Sequence, residues 1–201
     1  MAFTLLVLRP LLTLFIGLRV YGRENLPAKD PFILVANHSS HLDTAALLGL
    51  FRVSRLRWIR PCAAADYFER TRWRAVLSRT FFNVLPVRRT GFHAQDNPVQ
   101  QMRAALERGE SLVLFPEGSR GPGPGMAPFK SGVAHLAEQL PHVPIVPAYL
   151  TNMGRALPKG EFIPVPFFCE VRIGPPVRLS GSRAENLESI RAALESLRDH
   201  D

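Results

Sequence analysis

Pro31-Phe32-Ile33-Leu34-Val35-Ala36-Asn37-His38-Ser39-Ser40-His41-Leu42-Asp43-Thr44-Ala45-Ala46-Leu47-Leu48-Gly49-Leu50 is the stretch on which the reading of this chain turns. Its first six residues are apolar and bounded by Pro31 and Asn37, the pattern of a short buried strand. From Thr44 no turn residue occurs until Gly49, which predicts a helix. The polar residues between them form a loop at the C-terminal end of a strand, where open α/β folds place ligands. His38 and Asp43 stand at the two ends of that loop, Asp43 near a helix N-cap. An imidazole titrates near neutrality and can take a proton from an attacking hydroxyl. A carboxylate on its far nitrogen would fix the tautomer and stabilise the cation that forms. Spacing alone also admits a structural reading, in which Asp43 caps the helix and His38 is a solvated loop residue.

Outward from this stretch, the 201 residues are one domain's worth of chain, long enough to bury a sizeable core. Hydrophobic residues at 46% and charged residues at 21% are ordinary for a globular protein. The net charge of +8 is not, and of the basic residues only Lys29, Lys130 and Lys159 are lysines. An arginine excess favours anionic partners: nucleic acid, a phospholipid surface or a phosphorylated substrate. Cys62 and Cys169 are too few for a disulfide framework, show no metal spacing, and read as reduced core thiols in a cytosolic setting. At the N-terminus, Ala2 to Val20 is strongly apolar, but Arg9 and Pro10 divide it into pieces too short to span a bilayer. No cleavage pattern of small residues follows it. The segment is expected to be a helix lying in the membrane interface with Arg9 and Arg19 toward head groups, or a first helix packed on the domain itself.

After the helix comes a stretch dense in arginine and aromatics, including Arg57, Trp58, Tyr67, Phe68, Trp73, Arg74, Phe81 and Phe82. That mixture suits a lipid–water boundary and also single-stranded nucleic acid. Phe82–Val87 reads as a strand ending at Arg88-Arg89. Asp96 or Asn97 then caps a helix with Pro98 at its first position, and Val99, Met102, Ala105 and Leu106 recur at helical spacing up to Gly109. Ser111–Phe115 is a buried strand that runs into Pro116-Glu117-Gly118-Ser119-Arg120 and a Gly/Pro stretch expected to be a flexible flap. A helix follows through Gln139, then a strand over Val143–Tyr149. A strand nearer the sheet edge over Phe168–Gly174 and a last helix striped by Leu187, Ile190, Leu194 and Leu197 complete the chain. Alternating strands and helices predict an α/β fold: a mainly parallel sheet flanked by helices on both faces. In such a sheet the C-terminal strand ends share one edge. The loops holding His38 and Asp43, Arg88-Arg89, and Glu117 to Arg120 can therefore converge on one pocket suited to a phosphorylated substrate.

Four ordered blocks complete the reading. Asn37-His38 with Asp43, Leu85-Pro86-Val87-Arg88-Arg89, Phe115-Pro116-Glu117-Gly118-Ser119-Arg120 and Val143-Pro144-Ile145-Val146-Pro147 resemble those of the glycerolipid acyltransferase superfamily. Its best-known branch comprises the 1-acyl-glycerol-3-phosphate (lysophosphatidic acid) acyltransferases. The resemblance implies an enzyme moving a fatty acyl group from an acyl-CoA or acyl-carrier-protein thioester to a lysophospholipid hydroxyl. It implies His38 as general base and Asp43 as its orienting carboxylate. Arg89, Glu117, Gly118, Ser119 and Arg120 would bind the acceptor, while Pro144 and Pro147 would shape the pocket or acyl path. No metal and no bound cofactor are called for, because a thioester is already activated. Residues 1–21 would be a membrane-associating helix and 22–201 the acyltransferase domain, placed peripherally or monotopically on the cytoplasmic face of a membrane. Arg88 stands where the family often has an acidic residue, so the register between Arg88 and Arg89 stays open, and Ser119 stands where Thr is commoner. Other acceptor lipids use the same blocks.

Other classes explain less. Gly118-Ser119-Arg120-Gly121 lacks the spacing of a hydrolase nucleophile elbow. His38, His41 and Asp43 have no further metal motif to complete a zinc site. A basic nucleic-acid-binding module, or a catalytically silent membrane protein, would leave the loops bearing His38 and Glu117 without a task. No nucleic-acid partner is expected.

Overall fold

The computed structural model describes residues 10, 16–29, 31–65, 83–87, 97–119, 125–158, 161, 165–179 and 181–198. Among them, seven strands form one sheet in the order β1-β7-β6-β2-β5-β3-β4. The strands are β1 Arg19–Tyr21, β2 Ile33–Ala36, β3 Ile59–Ala64, β4 Leu85–Val87, β5 Ser111–Leu114, β6 Ile145–Thr151 and β7 Glu170–Ile173. The helices are α1 Leu42–Leu48, α2 Pro98–Glu107, α3 Gly132–Gln139, the single turn α4 Met153–Ala156, and α5 Arg183–Arg198. β2 pairs in parallel with β5 and β6, β5 with β3, and β3 with β4. β7 runs antiparallel to β6 and carries β1 parallel to itself.

The central strand shows why the run over 33–36 is continuous rather than alternating. β2 lies between two strands and is covered on both faces, so every one of its residues is buried. Leu34 and Ala36 face a cluster with Ala45–Leu48 of α1, Val146, Ala148 and Leu150. Ile33 and Val35 face a second cluster with Met102, Ala105 and Leu106 of α2, Leu136 of α3, and Ile190 and Leu194 of α5. Each Leu or Ile so buried contributes about 1.5–3 kcal/mol of transfer free energy. The expected layers, helix–sheet–helix, are thus present.

Local signals set the boundaries. Asn97 caps α2 by accepting from Val99 N–H at 2.9 Å, with Pro98 at the first helical position, and Gly109 ends the following turn at φ +81°.

Two features depart from expectation. The strand over 168–174 lies nearer the edge, as expected, second in the sheet with Arg19–Tyr21 pairing outside it. The same three residues shorten the N-terminal helix expected through 21; alternation in Arg19-Val20-Tyr21 suits an edge strand with only its middle residue half-buried. β3 arises within the arginine-rich segment, where Arg60 and Pro61 break the apolar run that would have announced it. Residues 1–9 and 11–15, and the arginines and aromatics between 66 and 82, lie outside the described residues. Among the described residues no helix is long and apolar enough to cross a membrane.

Candidate active site

β2 and β5 are neighbours, yet the chain leaves them toward opposite faces. α1, after β2, packs into one core cluster, and α3, after β5, into the other. The crevice outside their C-terminal ends is a topological switch point, the place where an open α/β sheet binds ligands. Both exit loops carry the residues singled out by the sequence.

Asn37 begins the first loop by continuing the ladder with its side chain. Its Nδ2 donates to Leu150 O at 3.0 Å, and its Oδ1 accepts from Leu150 N–H at 2.7 Å. The loop is thereby locked to β6. His38 Nδ1 then meets Asp43 Oδ2 at 2.8 Å. Asp43 is wholly buried (0% exposed) in the first turn of α1. Its Oδ2 also accepts from the N–H groups of Ser39 at 2.7 Å and Ser40 at 2.8 Å. An oxygen receiving two backbone N–H groups is unprotonated, so the proton shared with the ring sits on Nδ1. Nε2 then keeps its lone pair as the basic nitrogen. Asp43 does not cap its own helix with this carboxylate; it fastens the turn before it. The imidazole stacks on Phe115, centroids 4.1 Å apart and rings 21° from parallel, leaving its side chain 19% exposed. His38 is therefore neither solvated nor sealed.

The second loop is tied to the first by Glu117, itself 5% exposed. Its Oε1 accepts from His38 N–H at 2.9 Å, and its Oε2 from Ala127 N–H at 2.8 Å. Both oxygens thus hold backbone, one on the imidazole's own residue and one on the returning end of the Gly/Pro stretch. Gly118 closes the turn with N–H to Phe115 O at 2.9 Å and adopts φ +72°. A Cβ there would lie 2.8 Å from Lys130 Cε, so glycine is needed for the backbone angle and for the passage of that side chain. Ser119 follows in the same turn.

The structure thus brings His38, Asp43, Glu117, Gly118 and Ser119 to one edge. Arg88, Arg89 and Arg120 lie outside the described residues. Pro144 is not at this edge: its carbonyl accepts from Ile33 N–H at the start of β2. It lines a cleft of about 650 Å3 with His142, Pro175 and Arg178 at the opposite end of the strands. Pro147 sits mid-strand in β6, registered against Val35. Reading from sequence missed Asn37 as a lock, Phe115 as the ring's platform and Lys130 beside Gly118. Only Phe115 had a signal, its place at the end of a buried strand.

Neither thiol bears on this chemistry. Burial pushes the Cys169 thiol up to about 11, with the Asp43 carboxylate adding to it. Loss of hydration pushes Cys62 up to about 12, partly offset by Arg60.

The fold and the site are those of an α/β protein that sets an imidazole, backed by a buried carboxylate, in a switch-point crevice. The Acyltransferase family model matches residues 17–151, which take in all four sequence blocks, and the chain belongs to that family. It is 31% identical over 179 residues to a 1-acyl-sn-glycerol-3-phosphate acyltransferase alpha of Bos taurus, covering 87% of this chain and 59% of that protein. It is 29% identical over 170 residues to a 1-acyl-sn-glycerol-3-phosphate acyltransferase of Limnanthes douglasii, covering 81% and 55%. The chain spans about half the length of the curated relatives it matches. In fold it is similar to the 1-acyl-sn-glycerophosphate (LPA) acyltransferase PlsC of Thermotoga maritima. The TM-score there is 0.73 at 21% identity, over 100% of this chain and 81% of that one. The resemblance to the glycerolipid acyltransferase superfamily, and to its lysophosphatidic acid branch, holds.

Proposed function

We propose that the chain transfers a fatty acyl group from a thioester to the free hydroxyl of 1-acyl-glycerol-3-phosphate, giving phosphatidic acid. The observation that carries this reading is the 2.8 Å contact between His38 and a fully buried Asp43 at the switch point, in a chain of the acyltransferase family. His38 Nε2 takes the acceptor's hydroxyl proton as its oxygen bonds to the thioester carbonyl carbon. The carbon–sulfur bond breaks, and the departing thiolate recovers the proton from the imidazolium, whose charge Asp43 offsets. No acyl-enzyme is needed. Acyl-CoA and acyl-carrier protein both supply the required thioester as co-substrate.

Arg89 and Arg120 follow strand β4 and the Glu117 turn in sequence, and we assign them to the acceptor phosphate. Planar guanidiniums suit bidentate contact with phosphate oxygens. Gly118 and Ser119 offer the turn on which that phosphate would rest. Glu117 we assign to positioning, since its two oxygens hold the backbone of His38 and Ala127. Pro147 shapes the centre of the sheet, whereas Pro144 supports the opposite edge.

The test is transfer of labelled acyl groups from acyl-CoA to lysophosphatidate and, in parallel, to monoacylglycerol. Phosphatidic acid should accumulate, with monoacylglycerol the poorer acceptor. In Arg89→Ala the KM for lysophosphatidate should rise far more than that for acyl-CoA. No transfer to either acceptor overturns the reading, and equal KM effects remove Arg89 from the phosphate site.

A further inference from the structure

Lys130 has no part in the site described so far, yet it lies across one of its two loops. The segment that returns from the Gly/Pro stretch is pinned to the turn after β5 at two points. Ala127 N–H donates to Glu117 Oε2 at 2.8 Å, and Lys130 N–H donates to Pro116 O at 2.8 Å. The stem of Lys130 then crosses Gly118, where a Cβ would meet Cε at 2.8 Å, Cδ at 3.1 Å and Nζ at 3.2 Å. An exposed ammonium is thus laid over the residue that follows Glu117, the carboxylate whose Oε1 holds His38 N–H.

The fold itself gives this cation nothing to hold. Among the described residues Lys130 makes no salt bridge and no side-chain hydrogen bond. Glu117, the acid of the same turn, has both oxygens on backbone N–H groups. Lys130 also stands directly before Ser131, the N-cap of α3, at the positive end of a helix where a cation is disfavoured. A charge that stabilises nothing around it, on the strand edge that bears the base, is placed to meet an anion. In 1-acyl-glycerol-3-phosphate the phosphate hangs on the carbon next to the one bearing the free hydroxyl, so its receptor must stand close to His38. A compact ammonium on a flexible stem serves phosphate as a point charge.

We propose that Lys130 is a specificity-determining residue of the acceptor site: its ammonium binds the acceptor's phosphomonoester over the Gly118 turn and so selects phosphorylated acceptors over neutral ones. That the bound phosphate belongs to an acyl acceptor rests on the acyltransferase reading above, but the phosphate contact itself does not.

The test compares the full chain with Lys130→Met, which keeps an unbranched stem over Gly118 and removes the charge. Lys29→Met is the control, since Lys29 is exposed and precedes β2, at the strand edge away from His38. Binding of a short-chain, water-soluble lysophosphatidate is read by titration calorimetry with no acyl donor present. Transfer is read separately, with that lysophosphatidate or with monoacylglycerol as acceptor. Lys130→Met should bind lysophosphatidate about tenfold or more weakly, as expected for one lost charge-assisted contact. Its KM for lysophosphatidate should rise by a similar factor, while the KM for acyl-CoA and the rate with monoacylglycerol stay at parental values. Lys29→Met should match the parent throughout. Thermal melts report folding, and Lys130→Gln takes the place of Lys130→Met if the latter is destabilised. Unchanged affinity and KM in the folded variant overturn the proposal. An equal loss in Lys29→Met does so too, by making the effect one of net charge. A rise in the KM for acyl-CoA alone overturns it in favour of a phosphate on the donor. A parent that binds lysophosphatidate without acylating it removes the reaction assigned above, and weaker binding by Lys130→Met then still sustains the phosphate contact. A parent that neither binds nor acylates it overturns both.

Discussion

At the residue scale, the arrangement hinges on what Asp43 does with one oxygen. Oδ2 receives three donors, while Oδ1 is buried and has no hydrogen-bond partner among the described residues. Replacing it by Asn either sets an NH2 against two backbone N–H donors and offers the ring the wrong tautomer, or keeps a neutral oxygen there and buries the NH2 at the partnerless Oδ1 position. Asp43→Asn should therefore lower kcat by about 10²-fold or more, with KM little changed, and should also lower the melting temperature. A variant that loses only stability would reduce Asp43 to a loop fastener. Cys169 gives a second expectation, in pH. The unfolded chain releases this thiol proton near the ordinary 9.0, the folded one near about 11, so protons bind more strongly to the folded state. Stability is then unaffected below 9.0 and falls as pH rises from 9.0 toward about 11. Urea midpoints should show that fall in the parent chain and a smaller one in Cys169→Ala. The dyad was legible because two chemically telling residues flank one polar loop. The lock made by Asn37 was not, since an asparagine that replaces a ladder residue looks like any turn asparagine until β6 is beside it.

At the element scale, the site depends on loops from β2 and β5 being held in register. Glu117 is the tie. Glu117→Gln keeps the shape but turns one acceptor into a donor facing a backbone N–H, leaving that group unsatisfied at a cost of about 1–3 kcal/mol. We expect a lower melting temperature together with a fall in kcat, since His38 N–H is one of the two groups held. Unchanged kcat in a folded Glu117→Gln would detach this carboxylate from the chemistry. Elements with strong local signals were readable: β2 and β5 as apolar runs, and α2 from Asn97, Pro98 and its 3.6-residue stripe. β3 and β1 were not. Arg60 and Pro61 hide the first because tertiary pairing with β5 overrides their poor strand preference. The second is three residues long and exists only because β7 offers an edge.

For the whole molecule, topology does what no single motif can. The strand order puts the β2 and β5 loops side by side and sends their helices to opposite faces. The antiparallel β7 brings Phe167 and Phe168 back to the same edge. Order along the chain predicted the convergence of the first two loops. It did not predict that Pro147 would fall within β6 and Pro144 just before it, at the end of the strand away from the dyad. The central claim is that His38 is the base that activates the acceptor hydroxyl. Its most direct test is the acyl-transfer rate of His38→Ala beside the parent chain, with acyl-CoA and lysophosphatidate both saturating and folding checked by thermal melt. The account predicts a folded variant whose turnover is lower by about 10²–10⁴-fold or lost. A folded His38→Ala that turns over at the parental rate would contradict it.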